Sequence, residues 1–421
     1  MTSIVQKTVL PNGLRIVTET LPYLYSVSVG IWVENGSRDE SPEENGISHF
    51  IEHMIFKGTR NRTALMIAKE MDAIGGMSNA FTSKEQTCFY TRVLDNHLEQ
   101  GVGILLDIFL NSLFDPEELA RERLVVLQEI SMVEDTPDEL IHVLLGQTIY
   151  QGNSLAQPIL GTPETVQAID QQKILNYLVR SYGPEKIVVA AAGKVDHEAF
   201  VNLMAPELNK IQPTTPVGNR LGPVLRSKSK VFPKDLEQVH VAWAAKAPAA
   251  IDPRRYVITL LNVIMGGNMS SRLFQEVREK RGLAYAIYSF LSAHQDTGLW
   301  GIYTAVAKET LIQTLEVIGE ELRKLKEGKL DSAELSAAKE FVKGGILLGA
   351  ESSDNRMTRI AKNEMMFGRD ISFEEVLDDL NKVTADELVA LADEILQPDQ
   401  FSLVSLGPVN DGDLPTPAIT L

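Results

Sequence analysis

The chain has a single cysteine, Cys88. One thiol can form neither a disulfide within the chain nor a thiolate cluster, so any metal must be held by histidine and carboxylate. Long apolar runs are missing as well. Nothing approaches the ~18 consecutive apolar residues of a membrane-spanning helix, and no membrane insertion is expected. Positive charge is in deficit: 40 Lys and Arg stand against 57 Asp and Glu, a net charge of −17. That balance argues against nucleic acid or an anionic membrane surface as partner. The opening Met1-Thr-Ser-Ile-Val5 has no basic start and no apolar stretch, and Pro11-Asn12-Gly13 already reads as a turn. No secretory signal is read there, and the expected location is the cytoplasm.

What is present is a repeat. At 421 residues the chain suits two domains of about 200 residues each. Ser26 to Val33 alternates in the manner of a strand, and so does Val239 to Ala245. A helical pattern follows each, around His49 to Phe56 and around Ile258 to Met265, with glycine after both. Asp115-Pro-Glu-Glu-Leu119 predicts a helix start, with Asp as N-cap and Pro at the first position; Asp331-Ser-Ala-Glu-Leu335 is its counterpart. Each half closes on an apolar strand ending in glycine, Ile187 to Gly193 and Phe401 to Gly407, preceded by Pro184 and Pro398. The offset drifts only from 209 to 216 positions, as loop insertions would allow. The reading is therefore α+β, in two homologous domains, each a mostly antiparallel sheet with helices packed on it. The expected boundaries are 1–212, a Pro- and Gly-rich linker at 213–228, and 229–421.

Chemistry is concentrated in the first half. Ile47, Phe50, Ile51, Met54 and Ile55 form one apolar helical stripe, and His49, Glu52 and His53 point roughly the other way. Two histidines four apart stack on one helix face, close enough to share an ion, with a carboxylate between them. His-x-x-Glu-His is a metallopeptidase signature. A catalytic zinc site needs a third protein ligand and an open position. Glu122 and Glu129, seven apart on the helix opened by Asp115, are the candidates, on a face shared with Val125, Val126 and Val133. One would be a ligand and the other would orient a histidine. The repeat supplies an internal comparison. His49, Glu52, His53, Glu122 and Glu129 correspond to Ile258, Leu261, Asn262, Ala338 and Gly345. The five polar residues vanish together, as members of one functional unit would.

With these residues in view, the chain resembles the pitrilysin and insulysin family, in its short-chain branch with the mitochondrial processing peptidase subunits. That family carries His-x-x-Glu-His and a glutamate 76 residues on, with another seven before it; here these are Glu129 and Glu122. The resemblance extends over nearly the whole chain. It implies a zinc endopeptidase, with His49, His53 and Glu129 as ligands, Glu52 as general base and Glu122 behind a ligand. It implies that Arg278 and Tyr285 contact substrate carbonyls and the oxyanion. It places an edge strand at Asn79, Ala80 and Phe81, to which an extended peptide adds. Glu139 occupies the first of two acidic positions that processing peptidases use for a substrate arginine, but the second is Val143. Strict processing specificity is not expected. Four such domains enclose a chamber in the family, so this chain would be half of a clamshell, completed by a second copy or a paralogous subunit. The alternative reading is a non-catalytic structural or assembly subunit, but such relatives have lost part of the metal set and nothing is lost here. A glycine-rich helper subunit is disfavoured because Gly266-Gly267-Asn-Met-Ser is too short.

Overall fold

The computed structural model describes residues 4–214, 220–225, 227–397 and 400–414. Pro398 and positions 215–219 and 226 of the expected linker lie outside the described residues. The chain forms two compact units, neither continuous in sequence. The first comprises 1–131, 157–220 and 348–371; the second comprises 132–156, 221–347 and 372–421.

In the first unit, β1 (Ile4–Val9), β2 (Arg15–Thr20), β3 (Ser26–Val33), β4 (Met77–Thr82), β5 (Thr87–Leu94) and β6 (Ile187–Gly193) form a sheet of order β1-β2-β6-β3-β5-β4. The β2–β6 pair is parallel and the rest are antiparallel. Alternation divides β6 between two cores. Ile187, Val189 and Ala191 face the main core with Val27, Val29 and Ile31, beneath Phe50 and Ile51. Val188, Ala190 and Ala192 face the other way, with Trp32 and Cys88. The Ser353–Phe367 helix covers that second face through Met357, Ile360, Ala361 and Met365. A strand buried on both faces must be apolar throughout, which explains the unbroken run in β6. Charge fixes the covering helix as well. Glu19, fully buried, meets Arg356 at 2.6 Å and Arg359 at 3.4 Å. Breaking one side of such a pair would strand a buried charge.

The second unit contains β7 (Ser229–Pro233), β8 (Val239–Ala247), β9 (Ala284–Ala293), β10 (Gly298–Val306) and β11 (Phe401–Gly407), ordered β7-β11-β8-β10-β9. Its parallel pair is β7–β11. Without β1, the two sheets have the same strand order and the same orientations, so the repeat seen in sequence is a repeat of topology. Here too the faces alternate. Val239, Val241, Trp243 and Ala245 enter the main core with the Arg255–Gly266 helix. Ala242 and Ala244 face Ile141, Leu145 and Ile149 of the Pro137–Ile149 helix.

Candidate metal centre

The motif lies on a short helix, Ile47–Met54. Its apolar stripe is buried as expected: Ile47, Phe50 and Ile51 have no exposure, and Met54 has 1%. Burying that stripe turns His49, Glu52 and His53 to the opposite side. Glu122 and Glu129 come from the Pro116–Asp135 helix, whose Leu119, Val126 and Ile130 are buried. The stripe is narrower than the sequence suggested. Val125 is 46% exposed, while Glu122 is buried between Leu119 and Val126 and Glu129 lies toward the open edge of that face.

The donors converge. His49 Nε2 and His53 Nε2 are 3.2 Å apart. Glu129 Oε2 lies 3.6 Å from the first and 3.4 Å from the second. Four donors arranged tetrahedrally at zinc's ordinary ~2.0–2.1 Å would stand about 3.3–3.4 Å from one another. The triangle therefore fits a zinc ion bound by all three donors, with a fourth position left open. Among the described residues these three form the group of His, Cys, Asp and Glu able to hold a metal.

The surroundings act on the two histidines in opposite directions. Burial and the neighbouring His53 push His49 down to about 4, which leaves the ring neutral. For His53, burial lowers the pKa, but hydrogen bonds to Glu129 and Glu122 outweigh it and the net shift is upward. Its Nδ1 lies 2.9 Å from Glu122 Oε1, so Nδ1–H donates to the carboxylate and the lone pair on Nε2 faces the centre. Lys57 Nζ holds the other oxygen, Glu122 Oε2, at 2.6 Å. Glu52 stands one turn from His49. Burial raises its pKa against hydrogen bonding from Thr82, and its Oε2 is buried without a partner. A buried oxygen lacking a donor, beside a cluster of atoms able to hold a metal, suits a group that takes a proton.

Residues 15–163 match the model of the insulinase domain, Peptidase family M16. Residues 168–342 match the peptidase M16 inactive domain. The chain belongs to the insulinase family. As a member it is a zinc-dependent protease. A protein of Streptomyces coelicolor named as an uncharacterized zinc protease is 40% identical, over 97% of this chain and 90% of its own length. One of Bacillus subtilis with the same description is 39% identical, over 96% and 98%. A solved protease from Helicobacter pylori shares the fold at TM-score 0.88 and 22% identity, covering 97% of this chain and 100% of that one.

The insulinase repeat also explains the second unit. Ile258 and Leu261 occupy the positions of His49 and Glu52 and are buried in the core there. Asn262, at the position of His53, accepts a hydrogen bond from Trp300 Nε1 at 3.1 Å. Ala338 is buried, and Gly345 faces open space. The same helices remain, filled with packing residues.

The other residues singled out in the sequence divide between the units. Asn79, Ala80 and Phe81 lie on β4, an outer strand of the first sheet. Ala80 is buried on the motif-helix side, whereas Phe81 packs edge-on against Trp32 on the opposite face. Arg278 and Tyr285 belong to the second unit. Arg278 lies near the end of a π-helical segment, Phe274–Glu279, and its guanidinium lies 4.7 Å from the centre of the Phe274 ring and 4.4 Å from that of Tyr285. Tyr285 is 79% exposed. Glu139 is exposed in the first turn of the Pro137–Ile149 helix, also in the second unit. Sequence reasoning missed Lys57 and a buried group behind the motif helix: Glu40, Asn45, Ser48 and Tyr177. Among the described residues no helix is long and apolar enough to cross a membrane.

Proposed function

We propose that this insulinase-family chain is an endopeptidase that hydrolyses peptides or unfolded segments at the centre formed by His49, His53 and Glu129. The observation that carries the reading is the triangle of donor atoms 3.2–3.6 Å on a side, with the unpartnered Glu52 oxygen one helical turn away. His49 Nε2, His53 Nε2 and a Glu129 oxygen would hold the zinc. Bound zinc polarises the scissile carbonyl and acidifies the attacking water. Glu52 takes a proton from that water and delivers it to the leaving amine. Glu122 holds His53 in the tautomer that leaves Nε2 free. The outer edge of β4 at Asn79, Ala80 and Phe81 receives the substrate as an added strand. Recognition there is by backbone, so sequence preference is loose. Phe81 contributes main-chain groups only, since its side chain is used in packing. Arg278 and Tyr285 donate to the substrate carbonyl and the oxyanion, and Glu139 attracts basic residues.

The working assembly is a closed chamber of two chains, a homodimer or a pair with a paralogue, acting in the cytoplasm. The halves 1–212 and 229–421 are the products of a duplication, of which only the first keeps the metal set. The test of the chemistry is Glu52→Gln. The variant should retain zinc at the wild-type stoichiometry and lose peptide turnover by orders of magnitude. Normal turnover in the zinc-loaded variant would remove Glu52 from the mechanism.

A further inference from the structure

The motif helix has eight residues, too short to hold its own register. It also lacks the usual cap. Its N-cap is Gly46, at φ +95°, with no side chain to offer. A Cβ there would lie 2.7 Å from Leu160 O, so no capping residue could replace the glycine without moving the neighbouring chain. The first turn still presents backbone N–H groups that must be satisfied.

Glu40 satisfies two of the backbone N–H groups at this helix start from outside the helix. Its Oε2 accepts from Gly46 N at 2.7 Å and from Asn45 Nδ2 at 2.9 Å. Its Oε1 accepts from Ser48 N at 2.8 Å. The residue is 4% exposed. Ser48 is itself tied on, since its hydroxyl lies 2.9 Å from Tyr177 OH, which accepts from Asn35 Nδ2 at 2.6 Å. His49 is the next residue along.

The segment leading into Glu40 is fixed to the hairpin that carries β4. Ser37 N donates to Ser83 O at 3.1 Å, and Arg38 N to Lys84 O at 2.8 Å. The buried Arg38 guanidinium meets Glu85 Oε1 at 2.6 Å. A Cβ on Gly36 would fall 2.3 Å from Ser83 O, so the approach requires glycine. Glu40 thus lies on a direct path from the tip of the β4–β5 hairpin to the turn that carries the first histidine.

We propose that Glu40 is a positioning residue for the metal centre: its carboxylate caps the motif helix and fixes His49 relative to the hairpin that presents β4. The proposal rests on the reading of His49, His53 and Glu129 as zinc ligands. A glutamine at this position keeps one acceptor oxygen but turns an NH2 group toward a backbone donor, so one of the two helix N–H groups loses its partner.

The experiment measures zinc affinity by chelator competition, and kcat and KM on a quenched peptide, for wild type, Glu40→Gln, Asn45→Ala and Glu19→Gln. Glu40→Gln should bind zinc roughly tenfold more weakly and lose about tenfold in kcat, with KM within about twofold. Asn45→Ala removes one of the three donors to the carboxylate and should show about a threefold loss in the same direction; it carries the test if Glu40→Gln does not fold. Glu19→Gln weakens a buried ion pair away from the motif helix and should lower thermal stability without changing zinc affinity. Wild-type zinc affinity and kcat in both Glu40→Gln and Asn45→Ala would overturn the proposal. So would an equal zinc loss in Glu19→Gln, which would mark the effect as general loosening. If His49→Ala holds zinc as tightly as wild type, the ligand assignment fails instead, and the two failures are distinguishable.

Discussion

Glu122→Gln exchanges one atom and removes one charge at a group 7% exposed. In the wild type the two carboxylate oxygens serve different partners, His53 Nδ1 at 2.9 Å and Lys57 Nζ at 2.6 Å. The glutamine can turn its oxygen to only one of them. Lys57 is about a third exposed and can turn to water, so the oxygen goes to His53 and the Nδ1–H bond survives. What His53 loses is the negative charge that makes its Nε2 more basic. Losses behind a metal-binding histidine are typically 10- to 100-fold in affinity or activity, about 1.4–2.7 kcal/mol. Glutamine, which preserves orientation, should fall near the lower figure. Glu122→Leu removes the acceptor altogether. The proton can then move to Nε2 and point at the metal position, so the loss should reach or exceed the upper figure. Chelator competition on both variants measures this directly, and turnover at saturating zinc separates affinity from chemistry. A Glu122→Leu protein that holds zinc as tightly as the wild type would refute the tautomer argument.

Purified protein should carry about one zinc per chain, and His49→Ala or Glu129→Gln should lose most of it, as metal analysis after dialysis would show. Burial raises Glu40 from 4.5 to about 7 in the folded protein, against hydrogen bonds from Ser48, Gly46 and Asn45 that lower it. A raised folded pKa gives stability that is fully present below about 4.5 and lost as pH rises through about 7, a change on the order of 3 kcal/mol. With zinc removed, the unfolding free energy of wild type should therefore fall relative to Glu40→Gln between about pH 5 and 7.5; parallel curves would contradict this. If the working form is a homodimer with composite sites, mixing Glu52→Gln with Tyr285→Phe protein should restore roughly a quarter of wild-type activity after subunit exchange. No recovery despite proven exchange would mean that Tyr285 serves its own chain or has no catalytic part. Denatured or oxidised chains should be cleaved while compact folded proteins survive; rapid cutting within a rigid core would count against a chamber.

The convergence of His49, His53 and Glu129 was legible because its geometry is nearly local. Histidines four apart on a helix must share a face, and the absence of all five polar residues from the second repeat marked them as a unit. The sheet repeat was legible for the same kind of reason, since alternation and strand-ending glycines survive in both halves. Glu40 was not legible. Its partners are backbone N–H groups six and eight residues on, and in sequence it is one acid in the acidic stretch from Asp39 to Glu44. Val125 was placed on the buried face by counting, but the face is narrow and 125 falls just outside it. Least legible was the partner of each amphipathic helix. Repeat boundaries divide the sequence at 213–228, whereas the compact units exchange 348–371 for 132–156. An apolar stripe states that a helix is covered, not by which sheet.

The position of the Ser353–Phe367 helix has a consequence for synthesis. Trp32, Val188, Ala190 and Ala192 are all made by residue 192, yet the helix that covers them ends at Phe367. At about 5–20 residues per second, the 175 residues between 192 and 367 take roughly nine to thirty-five seconds to emerge. For that interval the nascent first sheet is apolar on a face that nothing yet covers. A fragment ending near residue 212 would keep that exposure permanently and should aggregate, despite containing every proposed zinc ligand. The half that carries the proposed zinc ligands is therefore not a free-standing module: it becomes a finished protein only when the second half is nearly complete.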